Sequence, residues 1–295
     1  LRLSRESDMT SIDIDLALFG QKASGKTVYA AALVYEIQKR YNRSYYLRNV
    51  EDYIEDRIAE LQRGEWPSST QVFADEQVMF DIVKHDNSSH VTYRTIDLPG
   101  EIIEGLFIPG ENRVVWRKEE LRSKRPYREY VERICNLIDK SNAFMFLINP
   151  KGCEDENEQL SEDIAQDLMC MEIIHEITRR KNVTTSNHMP PILFVFTQWD
   201  LYENRYTEFE TYARRVLHFT LGTHARNLGS YELMNCSGIG KAKLERIRNG
   251  TGSKTIYKPN PPIEPRGVAE TLFWIISSVN SRKKDESREG DEENN

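Results

Sequence analysis

The sequence predicts an α/β fold of three layers, built on a mostly parallel sheet with one antiparallel hairpin. Three observations predict it. Apolar runs of strand length alternate along the chain with runs of helical periodicity. Two of the apolar runs, Asn142–Asn149 and Pro191–Thr197, are apolar almost throughout, as strands covered on both faces by helices must be. Two neighbouring extended runs, Gln71–Lys84 and His90–Asp97, are separated only by the turn-forming His85-Asp86-Asn87-Ser88-Ser89. So short a link permits only antiparallel neighbours.

The elements follow in order. Ile12–Phe19 is apolar and reads as the first strand, and Thr27–Arg40 as the first helix. Val50–Arg63 carries Tyr53, Ile54, Ile58 and Leu61 at helical spacing. In the hairpin, Val78, Phe80 and Ile82 alternate with Gln77, Met79 and Asp81, the pattern of a half-buried strand. Helices are expected over Glu119–Lys140, Leu160–Arg180, Tyr206–Leu221 and Arg266–Asn280, and a short strand over Tyr231–Asn235. Residues 12–281 are expected to form one domain, with insertions near 101–130 and 239–265 and an N-terminal extension over 1–11. The charged tail, residues 282–295, offers no apolar surface and is expected to be disordered.

Composition narrows the function. An apolar content of 39% supports a packed core, and a net charge of -7 argues against a general nucleic-acid binder. The densest apolar run, Leu272–Val279, is too short to span a membrane and holds two serines. Leu1–Thr10 is polar and lacks a signal-peptide core. The four cysteines and six histidines are scattered without ligand spacing, so neither a disulfide framework nor a zinc site is expected. A reduced, cytoplasmic compartment is the simplest expectation.

The chemistry concentrates at strand ends. Gly20-Gln21-Lys22-Ala23-Ser24-Gly25-Lys26-Thr27 fits the P-loop pattern G-x-x-x-x-G-K-[ST], with an apolar strand before it and a helix, from Val28, after it. The glycines let the backbone N–H groups turn toward a phosphate at the positive end of the helix. Lys26 would reach the β- and γ-phosphates and Thr27 would ligate Mg²⁺. Asp97, in Thr95-Ile96-Asp97-Leu98-Pro99-Gly100-Glu101, stands where α/β sheets place ligands, suited to hold Mg²⁺ through a water. Gly100 supplies an N–H for a γ-phosphate. Asp200 follows the strand that ends at Thr197-Gln198, either as a helix cap or as an acceptor for the N1–H and N2 amine of guanine. The turn Asn235-Cys236-Ser237-Gly238 has backbone N–H groups suited to the base O6.

The set GQKASGKT, DLPGE, TQWD and NCSG, in this order on these strands, resembles the Ras-like GTPases of the translation-factor class, a G-domain-like P-loop NTPase fold. It is similar, more narrowly, to the double-GTPase domains of bacterial conflict systems. The resemblance covers roughly Ile12 to Asn280. It implies binding of GTP and GDP with Mg²⁺, at Gly20–Val28, Gly100, Thr197, Gln198, Asp200, Cys236 and Ser237. It also implies a switch threonine that ligates Mg²⁺: Thr70, with Ser69 as its rival. Lys26, Thr70 and Glu101 are then the expected catalytic residues, and Thr27, Thr70 and Asp97 the metal ligands.

Two departures accompany the resemblance. Gln198 stands where the family has a lysine over the base. Glu101 stands where Ras-like enzymes carry the glutamine that orients water, so slow hydrolysis by a molecular switch is the expectation. A P-loop ATPase or kinase, or a binding module without turnover, are the alternatives. Two segments are basic. Arg113–Arg128 holds seven Lys/Arg and Trp116 and is a candidate surface for a protein partner, or else a solvated helix face. Gly240–Arg266 also holds seven Lys/Arg, with Pro259, Pro261, Pro262 and Pro265. It reads as a long surface loop, or as a lid or docking arm.

Overall fold

The computed structural model describes residues 11–21, 23–67, 77–95, 127–150, 156–183, 189–203, 208–224, 228–249 and 252–292. The strands of the main sheet are β1 (Ile12–Gly20), β2 (Tyr45–Arg48), β3 (Gln77–Lys84), β4 (Ser89–Thr95), β5 (Ala143–Ile148), β6 (Ile192–Phe196) and β7 (Tyr231–Asn235). Their order is β2-β3-β4-β1-β5-β6-β7. β4, β1, β5, β6 and β7 run parallel, while β3 is antiparallel to both β2 and β4. The mostly parallel sheet and its antiparallel hairpin are those that the sequence predicts.

Side-chain alternation along the strands makes the three layers. On β1, Ile14, Leu16 and Leu18 face one core with Leu33 of α1 (Lys26–Arg40) and Leu272 of the last helix. Ala17 and Phe19 face the other. On β5, Ala143, Met145 and Leu147 belong to the first core and Phe144, Phe146 and Ile148 to the second. The second core is completed by α3 (Tyr127–Lys140) and α4 (Glu156–Arg180). All six residues of β5 are buried, which removes a large apolar area from water and explains why the strand has no polar face.

α2 (Asp52–Gln62) packs beside α1, burying Ile54 and Leu61. The helix predicted over Tyr206–Leu221 is two, α5 (Phe209–Val216) and α6 (His218–His224). The chain turns at Leu217, and the buried Asp167 of α4 accepts the N–H groups of Phe219 and Thr220 at 2.6 and 2.9 Å, capping the new start. The last helix, α7, runs Val268–Glu292. It continues through the charged residues expected to be disordered, whose lysines, arginines and glutamates favour helix without needing a core.

Three strands escaped the sequence reading. β2 is a four-residue edge strand without an alternating pattern. The segment read as a surface loop, Gly240–Arg266, contains an antiparallel hairpin, β8 (Ala242–Asn249) with β9 (Gly252–Pro259). Its signal was present: the two residues that link the runs, Gly250-Thr251, begin with the glycine that a two-residue hairpin turn favours. Among the described residues no helix is long and apolar enough to cross a membrane.

Candidate functional site

The C-terminal ends of β1, β5, β6 and β7 lie side by side, because the strands are parallel and in register. β1 ends at Gly20 and α1 begins at Lys26, so the loop between them must reverse within a few residues. It does so through two left-handed residues, Ala23 at φ 63° and Gly25 at φ 82°. At Gly20 a Cβ would fall 2.4 Å from Ser24 Oγ, so a larger residue would push the loop apart. Lys26 folds back along the loop and donates from Nζ to Gly20 O at 2.8 Å and Gln21 O at 3.2 Å. The first turn of α1 holds no acidic residue, which leaves its positive end uncompensated by the helix itself.

The loop is held from outside by the next two strand ends. Thr197 Oγ1 donates to Ser24 O at 2.8 Å and lies 3.2 Å from Ile148 O. Gln198, itself left-handed at φ 55°, donates from Nε2 to Ala23 O at 3.3 Å. Asn149 Nδ2 donates to the same carbonyl at 3.2 Å. Asn149 is fixed in turn by Gln166 of α4, which accepts from its N–H at 2.9 Å and donates to its carbonyl at 3.1 Å. The short amide of Gln198 thus does contact the phosphate-type loop, although it lacks a lysine's cationic stem.

At the far end, Trp199 N–H donates to Cys236 O at 3.1 Å and so joins the 3-10 turn Trp199–Leu201 to the end of β7. Asp200 sits in this turn. Burial raises its carboxyl pKa above the usual aspartate value, partly offset by the neighbouring Ser237 hydroxyl. Its Oδ2 is buried and finds no hydrogen-bond partner among the described residues. Ser24 Oγ and Asn149 Oδ1 share that condition. Buried polar atoms left unpaired are costly, so each of the three keeps a bond to offer a polar ligand.

The turn after β7 departs from expectation. The N–H of Cys236 donates to Phe196 O and that of Ser237 to Arg266 O, both at 2.9 Å, so neither is available to a base. The Cys236 thiol is buried in the first core, where burial raises its pKa. Gly238 brings this turn against α1. A Cβ there would lie 2.8 Å from Val28 Cγ1, so only glycine lets this turn close against the start of α1.

Comparison with known proteins gives these residues a family. The sequence profile described as Double-GTPase 1 matches residues 17–217. The chain belongs to the Double-GTPase 1 family. No curated protein matches this double-GTPase chain. Among solved structures it is similar to the elongation factor SelB of Methanococcus maripaludis, at 12% identity over 76% of this chain and 30% of that one, with a TM-score of 0.33. It is also similar to the Arl6 small GTPase of Trypanosoma brucei, at 12% identity over 77% and 88%, with a TM-score of 0.37. A third is the signal recognition particle receptor complex of Chaetomium thermophilum, at 13% identity over 77% and 92%, with a TM-score of 0.40. The double-GTPase chain spans less than a third of the length of the first two elongation factors it matches.

In this double-GTPase domain the structure brings together Gly20, Gln21, Ala23, Ser24, Gly25, Lys26, Thr27 and Val28 with Thr197, Gln198, Asp200, Cys236 and Ser237. Lys22, Ser69, Thr70, Asp97, Gly100, Glu101 and most of Arg113–Arg128 lie outside the described residues. Sequence reasoning missed Asn149 and Gln166. Asn149 carried a weak signal, a polar residue ending a wholly apolar strand; Gln166, on a distant helix, carried none.

Proposed function

We propose that this chain binds guanine nucleotide with Mg²⁺ and hydrolyses GTP slowly, as a molecular switch read by a protein partner. The observation that carries the reading is Asp200 Oδ2, buried and unpaired at the end of β6, with Gln198 beside it bonded to the phosphate-type loop. Guanine presents N1–H and the N2 amine as paired donors for such a carboxylate. Adenine has no matching pair, so it would leave the acceptor buried and unmet.

The residues fit the rest of the ligand. The loop between Gly20 and Lys26 would present the positive end of α1 to phosphates, and Lys26 adds a fixed charge at its mouth. Thr27, Thr70 and Asp97 would supply hard oxygens, the kind Mg²⁺ prefers. When bound, the metal would supply positive charge to the phosphate oxygens. Lys26 would hold the terminal phosphate, Gly100 would donate to it, and Glu101 would orient the attacking water. A carboxylate there also repels the phosphate, which is why turnover should be slow. Loss of that phosphate would release Thr70 and Gly100, and their segments, with Arg113–Arg128, are the surface a partner would read.

The test is the identity of the bound nucleotide. Chromatography of the nucleotide released from purified protein, followed by titration with GTP and ATP, should give GTP or GDP and a clear guanine preference. Equal or better binding of ATP would overturn the reading.

A further inference from the structure

The β8–β9 arm holds none of the residues assigned above to the nucleotide, yet its surface is unusual in three ways. First, among the described residues four large apolar side chains are exposed, and three of them, Leu244 at 59%, Tyr257 at 43% and Trp66 at 38%, belong to this arm or touch it. Leu244 and Tyr257 are direct register partners, so they form one apolar pair on one face. Secondly, residues 241–259 hold Lys241, Lys243, Arg246, Arg248, Lys254 and Lys258 against Glu245 alone, in a chain whose net charge is -7. Lys243 and Lys258 stand directly opposite each other, a like-charge pairing that disfavours the hairpin. Glu245 meets Lys258 at 2.9 Å, while Lys241 and Lys243 are exposed.

Thirdly, the arm is a sheet of two strands, so each strand has an outer edge. The edge of β9 is occupied at Tyr257, whose carbonyl accepts the Trp66 indole N–H at 2.6 Å. β8 pairs with β9 alone among the described residues. An exposed, regular strand edge with apolar side chains is a template for another strand unless something covers it.

We infer that the β8 edge is a docking site for an extended acidic segment of a partner protein, which adds as a third strand. Its backbone would pair with β8, its apolar side chains would lie on Leu244 and Tyr257, and its carboxylates would meet Lys241 and Lys243. The basic excess of the arm, with Lys241 and Lys243 exposed, favours an acidic peptide over a neutral one. The apolar pair favours a peptide over a nucleic acid, whose backbone offers nothing to bury against Leu244.

The test is fluorescence anisotropy of a short labelled peptide of alternating glutamate and valine, added to the full chain. Binding is expected, weakening as ionic strength rises. Leu244→Ser with Tyr257→Ser, and separately Lys241→Glu with Lys243→Glu, should each weaken it by about tenfold or more while nucleotide affinity stays unchanged. Methylating alternate backbone nitrogens of the peptide should abolish binding to the unaltered protein, a result that depends on no variant folding. No binding, equal binding of a lysine–valine peptide, or indifference to methylation would overturn the proposal. Tighter binding of oligouridine would assign the arm to nucleic acid instead. Dimerisation of the protein alone, removed by Leu244→Ser, would assign the edge to a second copy and overturn the proposal as well.

Discussion

The hydroxyl of Thr197, at the end of β6, donates to the main-chain carbonyl of Ser24 at 2.8 Å. A residue in one sequence motif thereby fixes the backbone of another more than half the chain away. With Gln198 and Asn149 on Ala23 O, it places the loop that would hold phosphate relative to the carboxylate that would read the base.

Thr197→Val keeps the shape and removes the donor, leaving the Ser24 carbonyl to lose its bond in a buried place. The expected loss is about 1–3 kcal/mol of stability, together with weaker nucleotide binding, because the loop is no longer held. Thr197→Ser should retain most of both. Thermal unfolding and calorimetric titration decide, and a valine variant equal to the parent would show that the clamp is idle.

Lys26→Ala removes the amine that bonds Gly20 O and Gln21 O. Triphosphate affinity should fall by about 100-fold or more, since charge-assisted contacts to phosphate are the strong ones. The far-ultraviolet circular dichroism should not change, because the side chain lies outside both cores. Unaltered affinity would remove the phosphate-binding role.

Gly238→Ala would bring a methyl group to within 2.8 Å of Val28 Cγ1. The turn after β7 should move off α1, at a cost of about 1–3 kcal/mol. Nucleotide affinity should fall along with the melting temperature. A fall in melting temperature alone would show that this turn packs but does not meet the ligand.

Glu36 is buried on α1, accepts Ala269 N–H at 3.1 Å near the start of α7 and bonds Arg40 at 3.0 Å. Burial raises its pKa above the usual glutamate value, only partly opposed by the Ala269 N–H and Arg40. The folded state therefore holds this proton more tightly than the unfolded one. The stabilisation is full below the ordinary glutamate pKa and is lost as pH rises through the folded value. Glu36→Gln, which keeps an acceptor for Ala269, should remove this slope. Melting temperatures measured from acid to neutral pH should show the parent losing ground to the variant as pH rises; a constant difference would contradict the assignment.

Much of this was legible in the sequence because local chemistry dictated it. Asn142–Asn149 had no polar face to offer, so it had to be a central strand. The glycines and lysine of Gly20–Thr27 admit few conformations other than the observed loop. What was hidden depended on contacts between distant residues. The turn Cys236–Ser237 looked free to bind a base, but Phe196 and Arg266 take its N–H groups. The clamp through Asn149 and Gln166 joins a strand end to a helix face, and no spacing announces it. The break at Leu217 depends on Asp167, a residue of another helix. The arm β8–β9 was legible at the link Gly250-Thr251, but the basic, proline-flanked composition around it read as loop.

The central claim is that Asp200 reads a guanine edge, and Asp200→Asn tests it most directly. Xanthine carries a carbonyl where guanine carries its N2 amine, so its edge needs a donor there, which the asparagine amide supplies. A mispaired buried group costs about 1–3 kcal/mol, or roughly tenfold or more in affinity. Competition binding with GTP, XTP and ATP should therefore show the parent preferring GTP and the variant preferring XTP, with ATP poor for both. A parent that prefers ATP, or a variant whose preference does not move, would reduce Asp200 to a structural turn residue and contradict the account.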